Sequence, residues 1–190
     1  MLQGQTCVVF DLDGTLADTS DDLLASANAC FRAMGAGEML TRADALTAFH
    51  GGRAMLRLGF QRLGRGDDAE VDRWYPRLLE AYAGAIDVHT VMYPGAVAAV
   101  EELRRQGHAV AICTNKPEGL AETLMQRLGV RGLFGALVGA DTLPVRKPDP
   151  APVSYTHLRA HETPEHLVCR LLLEKKKKHS RHSPSDPCLH

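Results

Sequence analysis

Residues 6–16 read TCVVFDLDGTL. The first half is a short apolar run rich in Val, the composition of a strand buried on both faces of a parallel sheet. The second half turns acidic at once and then meets a glycine. Asp11 and Asp13 stand two apart, so both carboxylates point the same way along an extended segment. Gly14 then permits a tight turn with exposed backbone N–H groups. A carboxylate so placed can attack phosphorus as a nucleophile, its neighbour can move protons, and both offer oxygens that suit Mg²⁺. Taken alone, the pair is equally well explained as an acidic strand-to-helix turn with one Asp as a cap.

Outward from this stretch, residues 18–35 are predicted to be helical. Asp18, Thr19 or Ser20 would cap the helix, Leu23, Leu24, Ala27 and Phe31 recur at helical spacing, and Gly35 closes it. Two or three more amphipathic helices are expected from Thr41 to about Gly84, broken by HGG at 50–52 and GRGDD at 64–68. A turn at Tyr93-Pro94-Gly95 leads into the helix AVAAVEELRRQG, with Gly107 as its stop. HAVAICTN (108–115) is the second buried strand, 117–129 the helix after it, and LFGALVGAD (133–141) a third strand candidate.

Alternating strands and helices predict an α/β fold, a Rossmann-like parallel sheet with right-handed crossovers. The segment between the first and second strands is too long for a plain crossover and reads as an inserted helical cap. The expected division is a core of residues 1–15 and 91–152 with a cap of 16–90.

The bounds agree with an enzyme-sized single domain. The chain has 190 residues, enough for one core plus an insert, and a formal net charge of −1. That charge gives no field to attract nucleic acid or a membrane surface. Five cysteines without paired spacing argue against a disulfide or zinc framework and fit a reducing cytoplasm. No secretory signal is visible at the start, and no run of about 18 apolar residues offers a membrane span.

Ligands of open α/β sheets bind at the carboxyl ends of strands, and three strand ends here are polar. Besides Asp11–Thr15 there is Thr114-Asn115-Lys116-Pro117, a hydroxyl and an amide just before a helix, a natural place for an anion. Simple helix capping explains it as well. The third is Arg146-Lys147-Pro148-Asp149-Pro150, a lysine between stiffening prolines, which alone reads as a solvated loop charge.

In this order and at these spacings, DLDGT, CTN and the KPDP lysine resemble the first three motifs of the haloacid dehalogenase superfamily. DLDGTLADTSDDL, CTNKPEGL and VRKPDP look like its phosphoglycolate phosphatase-type branch, over residues 5 to about 152. The resemblance implies an Mg²⁺-dependent phosphate-monoester hydrolase acting on a small phosphorylated metabolite such as 2-phosphoglycolate. It makes Asp11 the nucleophile and a metal ligand. Asp13 becomes the general acid and then base, and offers its carbonyl to the metal. Thr114 and Asn115 hold the phosphoryl group, and Lys147 neutralises its charge.

Arg53, after HGG in the cap, is a candidate for a substrate carboxylate, although a solvated helix-end arginine is the commoner state. His50 and His89 are weaker candidates. Asp13 argues against a dehalogenase, and the absence of Lys from Leu16 to His89 argues against a Schiff-base phosphonate hydrolase. A phosphatase or phosphomutase for another metabolite, and a non-catalytic scaffold of the same fold, stay open.

The pattern then breaks. Family members continue to a fourth, acidic motif of the GDxxxD kind, whereas after Asp149 the sole Asp here is Asp186. Residues 153–190 hold seven Lys+Arg against four Asp+Glu and six of the nine His. VSYTHLRAHE (153–162) and HLVCRLLLE (166–174) resemble an in-frame translation of a sequencing-library adapter, and Lys175 to Lys178 the translation of a run of A. The rival is a genuine basic, His-rich tail that binds nucleic acid or metal. On the first reading residues 153–190 are non-native and the core is truncated at the C-terminus. The strand bearing Asp11 is then expected at a sheet edge, and the chain to be impaired and prone to aggregate.

Overall fold

The computed structural model describes residues 6–160. The apolar run after Thr6 forms β1 (Cys7–Phe10), and the chain then turns at Leu12, whose carbonyl accepts from the amides of Thr15, Leu16 and Ala17 at 3.0–3.2 Å. Gly14 makes this turn possible twice over. Its φ of +73° lies in the left-handed region, and a Cβ there would sit 3.1 Å from the Phe49 ring.

Next come β2 (Ala17–Asp18) and α1 (Ser20–Ala33). A 3₁₀ turn (Arg42–Asp44) leads into α2 (Ala45–Ala48), α3 (Gly52–Arg62) and α4 (Asp68–Gly84). β3 (Val91–Met92) returns beside β2 in an antiparallel ribbon, Ala17 opposite Met92. Entry to and exit from the helical insert are therefore one paired ribbon. The expected helix start at Asp18 is displaced by this pairing. Asp18 Oδ1 accepts from both the amide and the hydroxyl of Ser20, at 3.1 and 2.6 Å, a local turn that ends the extended segment and releases the helix two residues later.

After α5 (Ala96–Arg105) the main sheet resumes with β4 (Ala109–Cys113), α6 (Glu118–Arg127) and β5 (Ala136–Val138), and the described chain closes with α7 (Ala151–Ala160). The sheet is parallel in the order β1-β4-β5, with Phe10 beside Ile112 and Ile112 beside Leu137. Alternation of strand and helix thus yields the expected α/β core with its inserted helical cap. β4 and β5 are buried almost throughout, whereas β1 is half-buried and pairs only with β4 among the described residues.

One hydrophobic core runs from the sheet into the insert. Within the insert α1, α3 and α4 pack on one another, and Phe31 meets Phe60 edge-to-face with centroids 5.4 Å apart. No helix among the described residues is long and apolar enough to cross a membrane.

Residues 153–160, expected to be foreign to the fold, continue α7, which packs on β1, β4 and β5. Its inward positions are polar-tolerant rather than apolar: Pro152 and Thr156 are buried, while Val153 and Leu158 face solvent. A helix with its Leu outside and its Thr inside has the wrong face turned to the core. The Asp149 carboxylate nonetheless accepts from the Ala151 amide at 2.8 Å at its start, so the KPDP turn itself supplies a cap. HLVCRLLLE and the lysine run lie outside the described residues.

Candidate active site

The three polar strand ends converge. Leu12 is fully buried, so its neighbours Asp11 and Asp13 face the other way, with side chains 45 and 17% exposed. Lys147 reaches back from its loop to place Nζ 3.0 Å from Asp11 Oδ1, and donates to the Cys113 carbonyl at 2.8 Å. That carbonyl belongs to the last residue of β4, so the lysine is fixed to the strand end that precedes Thr114. Asp11 Oδ1 also accepts from the Leu12 amide at 2.8 Å. Thr114 is buried, with its amide on Val138 and its Oγ accepting from the Lys116 amide. Asn115 donates to the Lys147 carbonyl at 3.2 Å and so ties the second loop to the third.

These groups form the floor of a cavity of about 430 Å³. The helical insert supplies its roof, including Phe49, His50, Arg53, Arg57, Tyr75 and Tyr82. Five cations line the space (Arg53, Arg57, Lys116, Arg146 and Lys147) against the two carboxylates of Asp11 and Asp13. Arg53 and Arg57 are already paired with Asp72 and Asp68, and Lys116 and Lys147 with Asp13 and Asp11, so the lining suits an anion that competes for these cations. Its size falls at the small end of ligand pockets, which span about 300–1,000 Å³.

Of the weaker candidates, Arg53 lines the cavity but is engaged. It pairs with Asp72, and its guanidinium lies 4.3 Å above the Tyr75 ring. His50 also lines the cavity. His89 does not; its backbone amide donates to the buried Asp22 carboxylate instead. The anion place expected at the start of α6 is filled by the chain itself, because Asp141 Oδ1 accepts from the Glu118 amide at 2.7 Å.

Sequence reasoning missed Lys116. Its side chain is 4% exposed, and Nζ sits 3.0 Å from Asp13 Oδ1 and 2.9 Å from the Tyr82 hydroxyl, 4.3 Å above that ring. Burial disfavours its charge, yet the Asp13 carboxylate and Tyr82 together outweigh this and hold the pKa above the ordinary lysine value. Burial in turn pushes the Tyr82 phenol up, with Lys116 opposing. The available signal was a lysine directly behind the TN pair, which reads as a surface charge until α4 is placed over it.

The oxygens on offer to a divalent cation are the Asp11 carboxylate and the Asp13 main-chain carbonyl, which accepts no hydrogen bond among the described residues. Hard oxygen donors in this number suit Mg²⁺, which usually keeps several waters and binds through one or two carboxylates plus substrate phosphate. Among the described residues no group of three or more His, Cys, Asp or Glu adds to them.

The fold is a parallel sheet with a helical insert, and at its strand ends the Asp11 carboxylate faces the Lys147 ammonium. The model of the family described as haloacid dehalogenase-like hydrolase matches residues 8–168. The chain belongs to this family, on its phosphoglycolate phosphatase-type branch, and is by class a phosphatase.

It is 36% identical over 158 residues to a phosphoglycolate phosphatase of Cereibacter sphaeroides (strain ATCC 17029 / ATH 2.4.9), covering 82% of this chain and 72% of that one. It is 39% identical over 153 residues to that of Mesorhizobium japonicum, covering 78% of this chain and 66% of the relative. In fold it resembles the crystal structure of a predicted phosphoglycolate phosphatase from Haemophilus somnus 129PT, with TM-score 0.70 and 23% identity over 87% of this chain and 76% of the other. The family match runs past residue 152 into the segment whose sequence looks foreign.

Proposed function

We propose that the chain hydrolyses a small phosphate monoester of the phosphoglycolate type through an aspartyl-phosphate on Asp11. The observation that carries this reading is the Lys147 ammonium 3.0 Å from Asp11 Oδ1, beside Thr114 in a cation-rich cavity. An Asp11 oxygen attacks phosphorus as the bond to the leaving oxygen breaks, and that oxygen takes a proton from Asp13. Asp13 then removes a proton from water, the water oxygen attacks phosphorus, and the Asp11–phosphorus bond breaks to release phosphate. Lys147 and Thr114 bind the phosphoryl oxygens throughout, Asn115 holds the Lys147 loop in place, and Arg53 exchanges Asp72 for a substrate carboxylate.

Asp11 and the Asp13 carbonyl would hold Mg²⁺, which when bound supplies charge neutralisation at the phosphoryl oxygens. Residues 16–90 act as the cap, closing over the core of 1–15 and 91–152 to exclude water. The reaction is that of a cytoplasmic enzyme on a small metabolite. Because no acidic motif of the GDxxxD kind follows Asp149 in these residues, the reading includes weakened Mg²⁺ binding and impaired turnover in this chain.

Phosphate release from 2-phosphoglycolate, measured with and without Mg²⁺, tests the reading. The expected outcome is metal-dependent release that Asp11→Asn abolishes. Undiminished release by Asp11→Asn sinks it. Transfer of the phosphoryl group to a second sugar hydroxyl, instead of to water, would favour the phosphomutase alternative.

A further inference from the structure

Lys116 is the residue that neither the motif chemistry nor ordinary folding accounts for. Burying an ammonium costs several kcal/mol unless it is paired and hydrogen-bonded, and a helix-capping role needs only its backbone. Its backbone amide already binds Thr114 Oγ, so the side chain is surplus to the turn. That side chain runs inward to two partners from different parts of the chain: Asp13 on the β1 loop and Tyr82 on α4. All three line the same cavity.

The Asp13 carboxylate is held asymmetrically. Its Oδ1 receives both Lys116 Nζ, at 3.0 Å, and Thr19 Oγ1, at 2.7 Å. Its Oδ2 has no partner among the described residues. A carboxylate that exchanges protons with substrate and water needs one oxygen anchored and the other free, within a fraction of an ångström of the right place. Thr19 belongs to the insert, and Lys116, on the loop after β4, is itself held by a residue of the insert, Tyr82. Thr19 leads into α1 directly after the β2–β3 ribbon, and Tyr82 sits near the end of α4.

We infer that Lys116 is a positioning residue that, held by Tyr82 of the helical insert, fixes Asp13 Oδ1 and leaves Oδ2 for proton transfer. Asp13 is then correctly placed only when α4 lies over the strand ends, which couples placement of the insert to the acid–base step. The inference rests on the proposed hydrolysis for its kinetic expression. Its geometric content is independent of it.

The competing role is direct substrate binding: a buried ammonium in a cation-lined cavity is also a phosphate ligand. The two roles differ in what they do to KM and in their dependence on Asp13. Positioning acts on the chemical step, so it lowers kcat and vanishes when Asp13 is gone. Binding acts on KM and persists without Asp13.

The experiment measures steady-state hydrolysis of p-nitrophenyl phosphate by the full chain for Lys116→Met, Tyr82→Phe, Asp13→Asn and the double variant Asp13→Asn/Lys116→Met. Crystal structures of Lys116→Met and Tyr82→Phe accompany it. Lys116→Met is expected to lose about 10²-fold in kcat with KM within about 3-fold, and Tyr82→Phe about 10-fold. The double variant should be no slower than Asp13→Asn alone. In the crystals Asp13 should leave the Thr19-bound rotamer.

A loss confined to KM, or a double variant slower by the full product, overturns positioning. So does an Asp13 carboxylate unmoved in both crystal structures, which decides the matter even if Asp11→Asn has shown the hydrolysis reading to be wrong. Loss of the folded state in Lys116→Met is met by Tyr82→Phe, which keeps the ring and removes only the hydroxyl.

Discussion

Lys147 Nζ lies 3.0 Å from Asp11 Oδ1 while donating to the Cys113 carbonyl at 2.8 Å, so a single ammonium joins the tips of β1 and β4 to the KPDP loop. The interaction brings together residues from the two ends of the described chain. It also pre-sets a positive charge where a phosphoryl group attached to Asp11 would develop negative charge.

Lys147→Met is therefore expected to reduce kcat by about 10²–10³-fold, the scale of removing one preorganised charge-stabilising donor. Lys147→Arg should recover only part, because a planar fork does not reproduce the point charge that spans Asp11 and the strand carbonyl. Phosphate-release kinetics of the two variants check this, and equal rates for wild type and Lys147→Met would refute it.

Asp22 is buried and has no cationic partner among the described residues, yet it accepts the His89 amide at 3.0 Å, the Thr90 amide at 2.9 Å and the Thr90 hydroxyl at 2.7 Å. It pins the first turn of α1 to the segment just before β3, and so closes the insert at its base. Asp22→Ala removes the acceptor of two amides and leaves the Thr90 hydroxyl only the Ile86 carbonyl at 3.4 Å, and is expected to cost about 3 kcal/mol. Urea denaturation measures it, and exchange of the residue 89 and 90 amides should quicken in parallel. A midpoint equal to wild type would contradict the role.

Asp44 supplies the pH dependence. Arg62 donates to both its oxygens at 2.7 Å and the Thr41 amide donates at 2.8 Å. The Arg62 hydrogen bonds first, then the Thr41 amide, overcome the opposing effect of burial and lower its pKa from 3.8 to about 2. A lowered folded-state pKa means that this stabilisation is complete above about pH 4 and drains as pH falls towards 2. Asp44→Asn should cost about 1–3 kcal/mol at pH 7, with the difference from wild type shrinking at pH 3. Urea melts at the two pH values test it; an undiminished gap at pH 3 would count against the pairing.

Gly59 lies inside α3 with Phe31 against it, and an added Cβ would meet Phe31 Cζ at 2.1 Å. Ala is the better helix former by about 1 kcal/mol, but overpacking a filled core costs about 1–3 kcal/mol. Phe31 is fully buried and packs edge-to-face on Phe60, so the clash is expected to win and Gly59→Ala to lower the melting temperature. A rise in melting temperature would show that the ring can retreat.

Much of the site was legible because its motifs are local. Asp11, Asp13, Thr114 and Asn115 each follow an apolar strand, and a strand that must be buried leaves its polar end at the sheet margin. Lys147, which alone reads as a solvated loop charge, was legible only from its order behind the other two motifs and the family resemblance they carry. The β2–β3 ribbon was not, since two paired residues carry no period to read. Nor was the Asp141 carboxylate at the start of α6, because that bond joins segments on either side of β5.

What the sequence alone determined is the alternation of strand and helix, the helical insert, and the loops that carry Asp11, Asp13, Thr114 and Lys147. These follow from hydrophobic period and turn chemistry, which act over a few residues. The tertiary structure alone decided that Lys116 turns inward to Asp13 and Tyr82 rather than out to water, that Phe49 closes over Gly14, and that residues 153–160 pack as a helix with Thr156 inside. The physical reason is that burial depends on which distant segment arrives to cover a side chain, and a charged residue reads as exposed until that cover is in place.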